Sequence, residues 1–238
     1  NQNINLDQLL AINNAMKYPL AYIQGPPGTG KTNTILNTIV TAFFNNMTVL
    51  FASYNNVPIN NVFEKLSSLT YKGKRVAFPV LRLGNQEKVK ECICYINQLR
   101  REVHGIKVFS STLDRRKGDR IDRAKQLSGR LKEYEEVLDL TERKETLTQV
   151  MEYQERMKNV ATLFHFHTDL QGRQLRNLDE KIQKIGEISE RDAMALLDRN
   201  EDEFYSYLYY TSAKYIKELE SNRFQDLRKI LDDDEDVN

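Results

Sequence analysis

Apolar residues at 6, 9, 10, 12 and 16 recur at close to helical spacing and predict a helix over Leu6–Met16. After Pro19, the run Leu20-Ala21-Tyr22-Ile23-Gln24 is short, apolar and ends in glycines, the pattern of a buried strand running into a turn. Lys31–Phe44 returns to the helical period, with Ile35, Leu36, Ile39, Val40, Phe43 and Phe44 on its apolar side. Thr48–Ser53 predicts a second buried strand. Pro58–Leu69 predicts a helix with Pro58 at its first position. Arg75–Leu83 predicts a third strand region, interrupted by Pro79 and closed by Gly84. Strands apolar on both faces and alternating with helices predict an α/β unit built on a parallel sheet.

After Gly84 the pattern changes. Residues 86–104 read as helix, and 113–158 as one long helix with Ile121, Leu127, Leu131, Tyr134 and Leu138 along it. In 162–186, Leu163, Phe166, Leu170, Leu178, Ile182 and Ile185 form a thin stripe flanked by charges, interrupted by Gly172. Such a stripe predicts antiparallel helices packed as a coiled coil. Ser189, with Asp192 three residues on, predicts a new helix start, and Asp202–Leu231 a last, tyrosine-rich helix before the acidic tail Asp232–Asp236. The expected whole is helix-dominated: an α/β part over residues 1–90 and a helical part over 91–238.

Composition narrows the class. The chain has 238 residues, 40% hydrophobic and 29% charged, which suits a soluble, helix-rich protein with a sizeable core. It contains no run of eighteen apolar residues, so no membrane span is expected. The start Asn1-Gln2-Asn3-Ile4 has neither the basic nor the apolar region of a secretory signal, and the lack of an initial Met predicts a piece of a longer protein. The two cysteines, Cys92 and Cys94, lie too close for a zinc or redox pair and suit a cytoplasmic protein. The net charge of +1 hides an asymmetry: residues 1–90 hold nine Lys or Arg and three acids, whereas 91–238 hold 26 and 31.

The residues Gly25-Pro26-Pro27-Gly28-Thr29-Gly30-Lys31-Thr32 fit the pattern G-x-x-x-x-G-K-[ST] in full, between a predicted strand and a predicted helix. Glycines allow the main chain to wrap around phosphate oxygens with N–H groups inward, and the helix beginning near Lys31 turns its positive end toward that charge. Lys31 is expected to reach the β- and γ-phosphates, and the Thr32 hydroxyl to ligate Mg²⁺, so ATP and Mg²⁺ are the expected cofactors.

Around this loop the chain resembles the superfamily 1 helicases. Leu6-Asp7-Gln8-Leu9-Leu10-Ala11-Ile12, with Gln8 seventeen residues before Gly25, is similar to the Q-motif, in which a Gln reads the adenine edge. The segment from Val49 to Val62 resembles motif Ia, which touches the nucleic-acid backbone, and Val80-Leu81-Arg82-Leu83-Gly84 resembles the strand that follows it. The version Tyr22-Ile23-Gln24-Gly25 through Thr32 is similar to the Upf-like branch, which contains the helicase of nonsense-mediated mRNA decay. The resemblance covers residues 1–90 and implies the N-terminal part of a first RecA-like domain, with 91–238 as an α-helical insertion. It further implies an ATP hydrolase moving on single-stranded DNA or RNA, with Gln8 on the base and Asn55 and Asn56 on the nucleic acid. Departures fall in motif Ia. Tyr54-Asn55-Asn56 stands where the family has Pro-Thr/Ser-Asn, Pro58 where it has Ala, and Asn60 where it has Asp.

Several positions keep a second reading. Gln8 also fits the third residue of a capping box opened by Asn5, and Asn55 and Asn56 also fit turn and cap positions. The acidic Asp-Glu pair that this family needs at the end of a buried strand has no counterpart. Asp179-Glu180 and Asp202-Glu203 lie in helical patterns, and Asp232–Asp236 lacks a preceding β-branched run. The chain alone is therefore expected to hydrolyse little or no ATP. Residues 100–130 carry ten Lys or Arg against four acids, either a phosphate-tracking stripe or a helix face paired with acidic helices. His165 and His167 sit two apart, off a shared helix face, which argues against a metal pair. Tyrosines 205, 207, 209, 210 and 215 suit either base stacking or amphipathic packing. The rival functions are an AAA+-type or other P-loop ATPase acting on proteins, and a nucleotide-sensing module whose helices dock a partner.

Overall fold

Asn5 opens helix α1 (Leu6–Lys17) with a reciprocal capping box: its side chain accepts from the Gln8 N–H at 2.8 Å, and Gln8 Oε1 accepts from the Asn5 N–H at 3.2 Å. In the computed structural model, which describes residues 4–84, 86–158, 168–196 and 201–219, the elements that follow are mostly helical. They are α2 (Lys31–Phe44), α3 (Asn56–Ser67), β1 (Thr70–Tyr71), β2 (Lys74–Arg75), α4 (Gln86–His104), α5 (Ser110–Lys158), α6 (Thr168–Leu196) and α7 (Glu201–Leu219).

The described residues show no parallel sheet. Among the described residues the ladder is an antiparallel hairpin pairing Thr70 with Arg75 and Tyr71 with Lys74. Lys72 and Gly73, at φ 49° and 71°, supply the left-handed turn that such a hairpin needs. Apolar character alone does not make a strand; a neighbour must accept its hydrogen bonds. The runs 20–24 and 48–53 have no ladder partner among the described residues, and Leu20, Tyr22 and Leu50 are 87%, 86% and 85% exposed. Of the third run, Arg75 pairs in the hairpin and Val76, Ala77 and Phe78 are buried, while Leu81 and Leu83 are exposed. Val76 and Phe78 enter one apolar cluster and Ala77 the other, so alternation sends successive side chains to opposite sides.

Two helix starts also differ from expectation. Helix α3 begins at Asn56, which puts Pro58 third rather than first, still within the turn whose N–H groups need no intrahelical partner. Residue 189 lies inside the continuous α6 and does not open a new helix. Continuity avoids a second nucleation step, and α6 is anchored near its end by Ala193, fully buried against Leu6, Leu9 and Leu131.

The chain divides into two packed units. In the first unit, Gly25–Arg120 pack with α7. Helix α7 supplies Leu208 and Tyr209 to a cluster with Val62, Leu66, Val76 and Phe78, and Ala213 and Ile216 to a second with Ala77, Leu99 and Val103. Phe43 meets Phe78 edge-on at 5.1 Å, and Tyr71 meets Tyr209 at 5.7 Å. In the second unit, α1 packs with α6 and with α5 beyond Ile121. Tyr134 Oη donates to Asp7 Oδ1 at 2.8 Å. Ion pairs Arg130–Asp192 and Lys144–Asp179 set α5 and α6 antiparallel, because the later partner on one helix meets the earlier one on the other. Among the described residues no helix is long and apolar enough to cross a membrane.

Candidate nucleotide-binding site

The loop Gly25–Gly30 leads directly into α2. Gly28 and Gly30 hold φ values of 85° and 80°, the left-handed region in which a Cβ costs about 1–2 kcal/mol. Gly25 has a different constraint: a Cβ there would stand 2.8 Å from Thr29 Oγ1. Thr29 closes the turn, its hydroxyl donating to the Pro26 carbonyl at 2.8 Å. Pro26 and Pro27 are exposed and stiffen the turn through their fixed φ.

Helix α2 begins with no side-chain cap on Gly30 and no acid in its first turn. Its first N–H groups and positive end therefore carry no competing carboxylate, the condition under which a helix start favours an anion. Lys31 Nζ lies over the loop, donating to the carbonyls of Gly25 and Pro26 at 2.6 Å each. Thr32, half-buried, follows on the first turn. The eight motif residues are thus brought together, and the arrangement suits a polyphosphate: glycine main chain, open helix start and one ammonium. Gln8 belongs to the other packed unit, where its capping-box reading is formed.

A second helix start, that of α3, lies in the same unit as the loop. Asn55 caps it by position with no side-chain hydrogen bond, and Tyr54, Asn55, Asn56 and Val57 are exposed. The Asn56 amide oxygen accepts from Arg82 Nη2 at 2.9 Å, and that of Asn60 accepts from Arg82 Nε at 3.1 Å. Arg82 is the residue that sequence reasoning passed over. Its signal was a lone cation inside the apolar run Val80–Leu83.

The acidic pairs sit as their helical patterns imply. Asp179 is paired with Lys144, Asp202 with Lys72 at 3.8 Å, and Glu203 with Arg116 at 4.0 Å. Asp232–Asp236 and both His165 and His167 lie outside the described residues. In the basic stretch, Arg116 and Arg120 cover the Tyr207 ring at 5.4 and 4.6 Å, Lys125 pairs with Asp122, and Arg130 with Glu133. These contacts favour the paired-face reading. Tyr207 and Tyr209 are buried, as amphipathic packing requires. Burial raises both phenols above the ordinary tyrosine range. Cys92 is buried and Cys94 exposed; burial pushes the Cys92 thiol up, while its Sγ donates to the Arg82 carbonyl at 2.8 Å.

Comparison with known proteins gives a family. The family model AAA_11, described as an AAA domain, matches residues 3–204. The chain is 31% identical over 124 residues to the DNA replication ATP-dependent helicase/nuclease JHS1 of Arabidopsis thaliana, covering 47% of the chain and 9% of that protein. It is 30% identical over 90 residues to the DNA polymerase alpha-associated DNA helicase A of Schizosaccharomyces pombe, covering 37% and 13%. It is 35% identical over 92 residues to the uncharacterized ATP-dependent helicase MJ0104 of Methanocaldococcus jannaschii, covering 38% and 13%. The chain thus spans about a tenth of the length of these relatives. No solved structure matches it significantly.

Proposed function

The chain belongs to the AAA_11 family of P-loop domains of the superfamily 1 helicase type, and from that premise we propose that it is the nucleotide-binding front of an ATP-dependent helicase or translocase acting on single-stranded DNA or RNA. The observation that carries the proposal is the loop at the start of α2: two left-handed glycines, an uncapped and acid-free helix N-terminus, and Lys31 placed over the loop. The N–H groups of Gly28–Thr32 would hold the phosphates of ATP, Lys31 would neutralise charge on the β- and γ-groups, and the Thr32 hydroxyl would ligate magnesium. When bound, Mg²⁺–ATP supplies the phosphoanhydride whose hydrolysis drives movement.

Gln8 is proposed to read the adenine edge, by giving up one capping-box bond to do so. Asn55 and Asn56 are proposed to hold the nucleic-acid backbone. The runs 20–24, 48–53 and 75–83 are proposed as strands of a RecA-like parallel sheet, with 91–238 as a helical, coiled-coil-like insertion; the exposed apolar side chains of the first two runs support this. No Asp-Glu pair among the described residues ends a buried strand, so the chain alone is expected to bind ATP and turn it over little.

The test is calorimetric titration of the chain with Mg²⁺–ATP beside Lys31→Ala. Binding that Lys31→Ala weakens, without steady-state turnover, supports the reading. Binding unaffected by Lys31→Ala would remove the loop from the site.

A further inference from the structure

Arg82 is hydrogen-bonded to the first turns of α3. Its guanidinium spans one helical turn, donating through Nη2 to Asn56 Oδ1 at 2.9 Å and through Nε to Asn60 Oδ1 at 3.1 Å. Its remaining edge donates through Nη1 to the Leu83 carbonyl. Its own carbonyl accepts from the buried Cys92 thiol on α4. The side chain is half-buried, whereas Asn56 and Asn60 are exposed. The fork is thus tied to its own segment and, through the main chain, to α4.

An arginine has five donors and no acceptor. Only the amide oxygens of Asn56 and Asn60 can therefore face it, and each amide must turn its NH₂ group to the opposite edge. Two asparagines that could turn either group outward are thereby set with their NH₂ donors outward. A phosphodiester offers acceptor oxygens and no donors. Base edges offer both.

We propose that Arg82 is a positioning residue that locks the Asn56 and Asn60 amides with their NH₂ groups outward, so that the start of α3 presents amide donors to a phosphodiester backbone. This rests on the nucleic-acid reading of Asn55 and Asn56 above. Backbone contact without base contact makes the face indifferent to sequence. Lys cannot replace Arg82, because an ammonium lacks the planar fork that bridges two amide oxygens.

The test is fluorescence anisotropy of the 238-residue chain with labelled oligothymidylate and oligouridylate over a range of salt concentrations. Asn56→Ala, Arg82→Ala and Arg82→Lys are each expected to weaken binding roughly three- to tenfold. The double variant Asn56→Ala/Arg82→Ala should be no weaker than the worse single one, because both remove the same contact. The salt dependence should keep its slope. Additive losses with a log–log slope reduced by about 0.7 would overturn the proposal, since Arg82 would then be a phosphate ligand itself. Full binding by Arg82→Lys would overturn it too. Thermal melting and the side-chain amide NMR signals of Asn56 and Asn60 provide a readout independent of binding. Signals unmoved in Arg82→Lys would overturn the lock, and shifted signals in a chain that never binds oligonucleotide would support the lock while removing the nucleic-acid reading.

Discussion

Helices α2 and α3 start alike and are built differently. Neither has a side-chain cap, and neither has an acid in its first turn. At α2 the scaffold is main chain: two left-handed glycines and a threonine-closed turn shape the loop, and Lys31 folds back over it. At α3 the scaffold is a side chain brought from Arg82, over twenty residues along the sequence, to hold two amides. Helix α1 gives the contrast, because its start is closed by its own Asn5–Gln8 box. A helix that caps itself satisfies its own donors. One that does not leaves them for something else.

The largest expected effect tests whether both starts share a foundation. Leu208, 1% exposed, packs in a cluster that also receives apolar side chains from α2 and α3. Leu208→Ala should cost about 2–5 kcal/mol in chemical denaturation and weaken nucleotide and oligonucleotide binding together. Loss of one without the other would mean that the two starts are independently supported.

Lys31→Ala should then separate them. Nucleotide affinity is expected to fall about tenfold or more in calorimetry, as for loss of a charge-assisted bond, with oligonucleotide affinity unchanged. A parallel loss of both would break the comparison. Gly30→Ala carries the main-chain side of the argument: at φ 80° a Cβ should cost about 1–2 kcal/mol, read as a lower melting temperature and weaker nucleotide binding.

Smaller effects sharpen the contrast with α1. Asn5→Ala removes a cap and should cost about 1 kcal/mol of stability, whereas Asn55→Ala removes no capping bond and should leave the melting temperature nearly unchanged. Equal losses would show that Asn55 is a cap after all. The smallest effect concerns the Cys92–Arg82 link. Burial holds the Cys92 thiol above its ordinary range and out of a reagent's reach, whereas Cys94 is exposed. Iodoacetamide should label Cys94 first, as mass spectrometry of digests would show, and faster labelling of Cys92 would mean that α4 does not hold Arg82 as described.

The loop was legible residue by residue because local chemistry suffices there. Positive φ demands glycine, the open helix start follows from the lack of a cap, and Lys31 lies within six residues of the carbonyls it meets. Helices α1, α2, α4 and α5 were legible because the 3.6-residue period is also local, as is the capping box of α1. The strands were not: a run such as Leu20–Gln24 records a preference for burial and says nothing of which neighbour takes its hydrogen bonds. Ser189 misled for the opposite reason, a capping pattern overridden by the packing of Ala193 a turn later.

Sequence by itself therefore determined the family, the glycine-rich loop before α2 and the helical character of the second half, all of which rest on contiguous residues. Tertiary structure decided that α7 closes the core beneath α2 and α3, that Arg116 and Arg120 cover Tyr207 as a paired face, and that Arg82 orients Asn56 and Asn60. Each of these joins residues more than twenty positions apart. Such a contact costs chain entropy to close and is chosen by the burial and hydrogen bonding of the whole unit, which no single segment encodes.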